Sequence, residues 1–276
     1  MASTDDDDVV TGRRTMTQSA YADDRHLRSR VAIFSYAQGP VDPFWRLSPV
    51  PWDGSQVVAD VGCGSGFDLR QLVPAGRCRH ALGIDLSAGM LAPLAGLRDQ
   101  GRLTLIRGDA QRLPLRDDSA DVGLAMHMLY HVPDLPAAVG ELRRIVVPGG
   151  TVLASTSSPS SMAEVHDVLE AAVAGALGRP VPVLPALSFT TETGAAILGH
   201  AFSDVTRHDH AVPLAFPDAQ PVVGYLASIR EPVERTVGVP FSFDAVLEEV
   251  AARVEQVIRE QGSFRATSRS GVFVCR

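Results

Sequence analysis

Residues 56–66 read Gln-Val-Val-Ala-Asp-Val-Gly-Cys-Gly-Ser-Gly, and the rest of the chain arranges itself around them. Val57, Val58, Ala59 and Val61 form a short, continuously apolar and mostly β-branched run, the pattern of a parallel strand buried on both faces. Gly62, Gly64 and Gly66 follow at once. Lacking Cβ atoms, they let the backbone turn sharply and approach a ligand closely. Phe67 to Val73 are expected to open a helix whose free N–H groups face that ligand. Strand, glycine turn and helix together make a nucleotide-type pocket.

Downstream the alternation continues. His80 to Ile84 is expected as a strand ending at Asp85, Leu103 to Ile106 as one ending at Arg107-Gly108-Asp109, then Val122 to Met126 and Thr151 to Thr156. Helices fall between them. Ala88 to Leu97 has Ser87 in capping position and is weakened by Gly89, Pro93 and Gly96; Leu135 to Val146 places Glu141, Arg143 and Arg144 on its wet side and is broken by Pro148-Gly149-Gly150. This spacing predicts a doubly wound α/β fold around a mostly parallel sheet. Residues 53–158 form its core.

The flanks are less regular. Residues 1–18 are polar and acidic and read as a disordered tail. Residues 19–52 read as an N-terminal helical lid, with a helix over Tyr21 to Tyr36 and a short one around Phe44, Trp45 and Leu47. Aromatic residues cluster there in a chain with only 6% Phe, Trp and Tyr. Residues 159–201 read as a helical cap containing the Pro-rich stretch Pro180 to Pro185, which cannot be an interior helix. Residues 202–276 complete the sheet, with a strand at Phe202 to His208 that Ala211 to Phe216 extends or pairs beside, a terminal strand at Gly271 to Cys275, and inserted helices at Gln220 to Ile229 and Phe243 to Arg259.

Composition narrows the function. The net charge is −7, four of those charges sit in Asp5 to Asp8, and the rest of the chain is nearly balanced, which is no electrostatic footprint for nucleic acid. No apolar run reaches the roughly 18 to 20 residues that span a bilayer. Three cysteines, Cys63, Cys78 and Cys275, lack metal-like spacing and fit free thiols in a reducing compartment, so a cytoplasmic protein is expected. All 25 basic residues are Arg, and neither Lys nor Asn occurs. This matches GC-rich coding, and it removes a Schiff-base lysine and a P-loop lysine from consideration.

The glycine pattern Gly62-x-Gly64-x-Gly66 departs from Gly-x-Gly-x-x-Gly by one residue. Asp85, 21 residues after Gly64, can accept hydrogen bonds from both hydroxyls of a ribose. Asp109 falls where an adenine amine would lie, and Asp60 where an ammonium group could be met. An adenosine bearing an amino-acid tail suits that set of acids, whereas a dinucleotide pyrophosphate would be repelled by it.

Five segments carry a family resemblance: ADVGCGSG at 59–66, GIDLSAGML at 83–91, GDAQRLPLRDDSADV at 108–122, AMHMLYHVPD at 125–134 and ELRRIVVPGGTVLAST at 141–156. Together they resemble the class I S-adenosylmethionine-dependent methyltransferases of the type 11 group, and are similar to the quinone-biosynthesis methyltransferases. The resemblance implies a Rossmann-like seven-stranded sheet with an antiparallel last strand, and S-adenosyl-L-methionine as cofactor. It places Gly62 and Gly64 under the methionine part, Asp85 on the ribose, Met90 beside the adenine and Asp109 at its amine. Asp60, Cys63, Leu86, Gly108, Ala110, Met126 and His127 complete the cofactor set.

For the transfer itself, His127, Tyr130 and His131 are the candidate catalytic residues, since they follow the fourth strand at the carboxyl edge of the sheet. His127 could equally pack on the cofactor. A metal held by His127 and His131 lacks a third ligand and is not expected. His208 and His210 share a strand face and read as solvated. Tyr21, Phe34, Tyr36, Trp45 and Tyr130 are the candidate acceptor contacts, and the apolar stretches 34–45 and 181–189 suggest a small, partly aromatic or lipophilic acceptor methylated on N, C or O, in bacterial specialised metabolism. A monomer or homodimer without nucleic-acid or membrane partners is expected. Two other readings stay open at this point: a nicotinamide-dependent oxidoreductase and a non-catalytic adenosyl-binding protein.

Overall fold

The computed structural model describes residues 23–98 and 101–276; the expected tail 1–18 and Tyr21 lie outside the described residues. One seven-stranded sheet runs through them in the order β3-β2-β1-β4-β5-β7-β6. Its strands are β1 Val57–Val61, β2 His80–Asp85, β3 Leu103–Arg107, β4 Ala120–Met126, β5 Val146–Ser157, β6 Val205–Phe216 and β7 Phe264–Cys275. The first five pair in parallel, and β7 lies antiparallel to both β5 and β6. The doubly wound sheet with an inserted antiparallel last strand is therefore present as expected.

Burial on both faces explains why the strands read as continuous apolar runs. In β1, Val58 packs into a cluster with Leu69, Leu72 and Leu94, while Ala59 and Val61 face a second cluster with Leu142, Ile145 and Phe273. Short helices α2 (Leu69–Leu72), α3 (Ala88–Leu91) and α4 (Ala95–Arg98) serve the first face. The longer α5 (Leu135–Ile145) and α7 (Gly194–Leu198) serve the second.

A third core lies beyond the parallel sheet. It joins α6 (Ala163–Leu177), α8 (Gln220–Ala227), α9 (Arg230–Val237) and α10 (Phe243–Gln261) to the first halves of β7 and the second half of β6. In α10, Val246, Val250 and Val254 recur at one-turn spacing and are fully buried, the stripe expected of a helix lying on a core. Ile33 and Phe34, at the end of the N-terminal helix α1 (Arg25–Ala32), join the same cluster.

Several elements differ from the sequence-based expectation. Of the two arrangements left open for 211–216, it extends the strand expected at 202–208: together they form one twelve-residue strand, β6, paired along its whole length with β7. Because β5 pairs only with residues 270–275 of β7, the rest of the β6–β7 ribbon overhangs the parallel sheet. The helix expected over 67–73 is a single turn starting at Leu69 with Asp68 at its N-cap. Pro93 splits the expected helix 88–97 into α3, a 3₁₀ turn and α4, and the Ser87 side chain makes no capping bond. Helix α9 was not expected, since its sequence Arg-Glu-Pro-Val-Glu-Arg-Thr-Val is mostly polar; buried Val233 and Val237 hold one face to the third core.

Candidate active site

The glycine loop is fixed by hydrogen bonds to the neighbouring strand. Cys63 N–H donates to Ile84 O at 2.9 Å, and Gly64 N–H donates to Asp85 Oδ2 at 2.9 Å. Gly62, Gly64 and Gly66 all have positive φ, so each occupies a backbone region that other residues rarely adopt. At Gly62 the requirement is doubled: a Cβ there would lie 2.7 Å from Cβ and Cγ of Met128.

Asp85 also accepts from Ser87 N–H through Oδ1 at 2.8 Å. It thus ties the loop to α3 while its remaining lone pairs border the cavity above. Asp109, two residues beyond β3, accepts from the backbone N–H of Gln111 at 2.9 Å and from its side-chain amide at 3.1 Å. The loop carrying Asp109 is clamped from α5. Glu141 accepts from Leu113 N–H at 2.6 Å, and Arg144 forms a two-pronged bond to Glu141, with Nε and Nη2 each 2.7 Å from a carboxylate oxygen. Arg144 also reaches Asp117 and the carbonyls of Leu113 and Leu115. Glu141 and Arg144 are therefore not simply wet-side residues, as their helical phase suggested. They hold the loop that carries Asp109, and the Arg144 guanidinium keeps the Glu141 carboxyl below its usual range.

Acid density marks this end of the site. Burial pushes the Asp60 carboxyl well above the usual carboxylate range, and the charges acting on it, those of Asp68 and Asp85, push the same way. Burial raises Asp68 to about 7 and also raises Asp85, against the opposing effect of its backbone N–H bonds. Such a cluster is costly by itself and suits a ligand that brings positive charge. S-adenosylmethionine carries two, a sulfonium and an ammonium, so the residues present fit that group.

His127 stands directly after β4, at the carboxyl edge of the sheet. It has φ +51°, a strained conformation for a side-chain-bearing residue, and its N–H donates to both O and Oγ of Ser155 at 3.1 Å. Burial lowers its imidazole to about 4, so at neutral pH the ring is uncharged. Phe44 lies against it with ring centroids 5.3 Å apart. Tyr130 and His131 stand side by side, 4.4 Å between centroids.

A single cavity of about 1380 Å³ joins these parts. Asp60, Gly62, Cys63, Gly64, Asp85, Leu86, Met90, Gly108, Asp109, Ala110, Met126 and His127 all line it, together with Phe34, Tyr130 and His131. Tyr36 and Trp45 do not line it. Tyr36 packs on Phe216 at 5.4 Å, and Trp45 is buried against Trp52, also at 5.4 Å. The apolar stretch 181–189 is likewise absent from the lining; Val183 enters the third core, and Phe189 packs on Phe273. Phe44, Asp68 and His210 line the cavity without having been singled out as site residues.

The comparisons with known proteins bear on the same stretch. The family model described as a methyltransferase domain matches residues 59–154. Residues 59–154 are a methyltransferase domain. It is of the S-adenosylmethionine-dependent kind, and its glycine loop, Asp85 and Asp109 all fall inside the match. The chain is similar to a malonyl-[acyl-carrier protein] O-methyltransferase of Serratia marcescens, 37% identical over 114 residues, covering 41% of this chain and 43% of that protein. It is also similar to a ubiquinone biosynthesis O-methyltransferase of Methylococcus capsulatus, 38% identical over 104 residues, covering 37% of this chain and 43% of that protein. Both matches span less than half of the relative. Among solved structures, a phosphoethanolamine N-methyltransferase of Haemonchus contortus, in complex with S-adenosylhomocysteine, aligns with a TM-score of 0.53 at 18% identity, over 95% of this chain and 60% of that one. At that identity the likeness is one of fold.

Among the described residues no helix is long and apolar enough to cross a membrane. None of their His, Cys, Asp and Glu side chains come together in a group of three or more that could hold a metal.

Proposed function

We propose that the protein transfers the methyl group of S-adenosylmethionine to an oxygen atom of a small acceptor with an apolar, partly aromatic body, as one step in specialised metabolism. One observation carries this reading: the cavity has two unlike ends and is larger than the roughly 300 to 1,000 Å³ that single small-molecule sites occupy. Acids and the glycine loop furnish one end. Phe44, Val212, Met162, Ile33 and Phe34 furnish much of the other. Oxygen is favoured because both curated relatives named above are O-methyltransferases.

S-adenosylmethionine supplies a methyl group already activated by the sulfonium, so the chain's own task is to bring two ligands together and keep water out. Asp85 and Asp109 hold the adenosine, and Asp60 with Asp68 meets the ammonium. His127 serves as a wall between cofactor and acceptor. Its buried ring disfavours the protonated form, which makes it a poor recipient for the acceptor's proton. Tyr130 and His131, half-buried at the junction, are better placed to pass that proton toward water. Residues 23–52 act as a lid: α1 contributes Leu27, Arg30 and Val31 to the cavity, and the following segment contributes Phe44.

Calorimetry with S-adenosylhomocysteine tests the cofactor half. Mass spectrometry of a panel of phenols incubated with methyl-labelled S-adenosylmethionine tests the acceptor half. Stabilisation by NADH but not by S-adenosylhomocysteine would overturn the reading. Cofactor binding with no labelled product from any oxygen, nitrogen or carbon acceptor would leave a binding protein instead of an enzyme.

A further inference from the structure

Three buried side-chain polar atoms have no hydrogen-bond partner among the described residues: Trp45 Nε1, Gln56 Oε1 and His210 Nε2. Of the three residues, only His210 lines the cavity. A buried polar atom without a partner is uncommon and costly, and at a ligand site it marks where a ligand atom belongs. His210 stands on the overhanging part of β6, where its strand partner is Ser270 of β7, and Ser270 and Ser268 line the same end of the cavity.

Its position relative to the junction is informative. The Phe44 ring contacts two imidazoles, 5.3 Å from that of His127 and 5.8 Å from that of His210, edge-on to the latter. In the sheet order β6 is the third strand beyond β4, on the side away from β1 and β2, so the backbone of His210 stands about 14 Å across the sheet from the end of β4 that carries His127. A group bonded to His210 cannot also be the group that meets the methyl. It must be a second polar group at the far end of the acceptor.

We propose that His210 is a specificity-determining contact that hydrogen-bonds, through Nε2, a hydroxyl or carbonyl at the end of the acceptor remote from the methylated oxygen, with the acceptor's aromatic body lying along Phe44. This rests on the methyltransferase reading above and adds to it a substrate class: flat aromatic compounds with oxygen substituents at both ends. A hydroxyl suits the site because imidazole Nε2 donates or accepts according to tautomer, and a hydroxyl can do either.

Two product-like probes test this in the presence of saturating S-adenosylhomocysteine. In 6-methoxy-2-naphthol the methoxy group stands for the reacted end and the hydroxyl for the remote one; 2-methoxynaphthalene lacks only the hydroxyl. Wild-type protein should bind the first about tenfold more tightly, the worth of one well-placed hydrogen bond to a buried group. His210→Phe should abolish the preference while leaving 2-methoxynaphthalene and S-adenosylhomocysteine bound as in wild type. His210→Gln, which keeps a polar end, should retain part of it. A preference that survives His210→Phe, or none in wild type, overturns the assignment of His210. Failure of both probes to bind wild type overturns the aromatic acceptor itself, and the His210 contact with it, while calorimetry with S-adenosylhomocysteine judges the cofactor half separately.

Discussion

The two ends of the cavity are built on opposite principles. At the cofactor end the backbone dominates: glycines in left-handed conformations, a loop bonded to the adjacent strand, and acids whose positions at strand ends are set by the sheet. At the acceptor end side chains dominate, delivered by α1, the segment around Phe44, and the overhang of β6 and β7. A backbone-built site tolerates little change. A side-chain-built site can be remodelled residue by residue while the sheet stays as it is.

The largest effects should come from the backbone-built end. Asp85→Ala removes a carboxylate that clamps Gly64 and Ser87 and that we propose holds the ribose, and hydrogen bonds to a charged group contribute about 1.5 to 3 kcal/mol each. Affinity for S-adenosylhomocysteine by calorimetry should fall at least about 100-fold. Gly62→Ala should do as much, and should also destabilise the unliganded protein. It adds a Cβ 2.7 Å from Met128 and asks Ala to hold φ +69°, costs of about 1 to 3 and 1 to 2 kcal/mol respectively. Wild-type affinity in both variants would show that the acceptor and cofactor ends have been exchanged.

Next in size is the clamp on the loop that follows Asp109. Arg144→Ala takes the guanidinium from Glu141, which keeps only its bond from Leu113 N–H, and from two carbonyls, and removing one partner of a charge-assisted pair costs about 1 to 3 kcal/mol. Urea denaturation should show that loss. S-adenosylhomocysteine affinity should fall less than in Asp85→Ala, because Asp109 keeps its bonds to Gln111. Phe44→Ala probes the other end. It should leave cofactor affinity within about twofold and lower turnover about tenfold, in line with the roughly 0.5 to 1.5 kcal/mol of one aromatic contact. Equal losses of cofactor affinity in Phe44→Ala and Asp85→Ala would erase the distinction between the ends.

The same contrast explains what could be read from the sequence. Cofactor-end residues lie on contiguous motifs, because a parallel strand delivers its last residue and the following loop to one edge of the sheet. All of the residues expected there line one cavity. Acceptor-end residues are assembled across long separations, and aromatic character alone does not say which ring faces a cavity. Tyr36 and Trp45 went into packing while Phe44, beside Trp45, faces the site. His210 did leave a signal: it shares the two-residue phase of Val212, Leu214 and Phe216, all buried, whereas His208 at the open end of the same face is exposed. With 211–216 left either extending 202–208 or pairing beside it, that face could not be followed through to Phe216. Helix α9 was hidden for a similar reason, since only the third core tells which side of a polar sequence is buried.

The smallest effects concern protons, and there the junction and the cofactor end oppose each other. Asp68 titrates near 7 in the folded protein and near 4 in an unfolded chain, so between those values the native state binds the extra proton and stability falls as pH rises. His127 titrates near 4 when folded and near 6.5 when unfolded. Below about 6.5 the unfolded state binds the extra proton, so stability falls as pH drops toward 4. The two contributions have opposite slopes over nearly the same window and offset each other in wild type. Asp68→Asn should therefore gain stability relative to wild type as pH rises from about 4 to 7, and His127→Gln should gain it as pH falls from about 6.5 to 4, in urea denaturation series at half-unit intervals. Saturating S-adenosylhomocysteine, whose ammonium favours ionised Asp68 and Asp60, should shrink the Asp68→Asn difference and leave that of His127→Gln nearly intact. An equal change in both would mean that the acids do not face the ligand's cation, and that the buried carboxylates belong to the scaffold instead of the site.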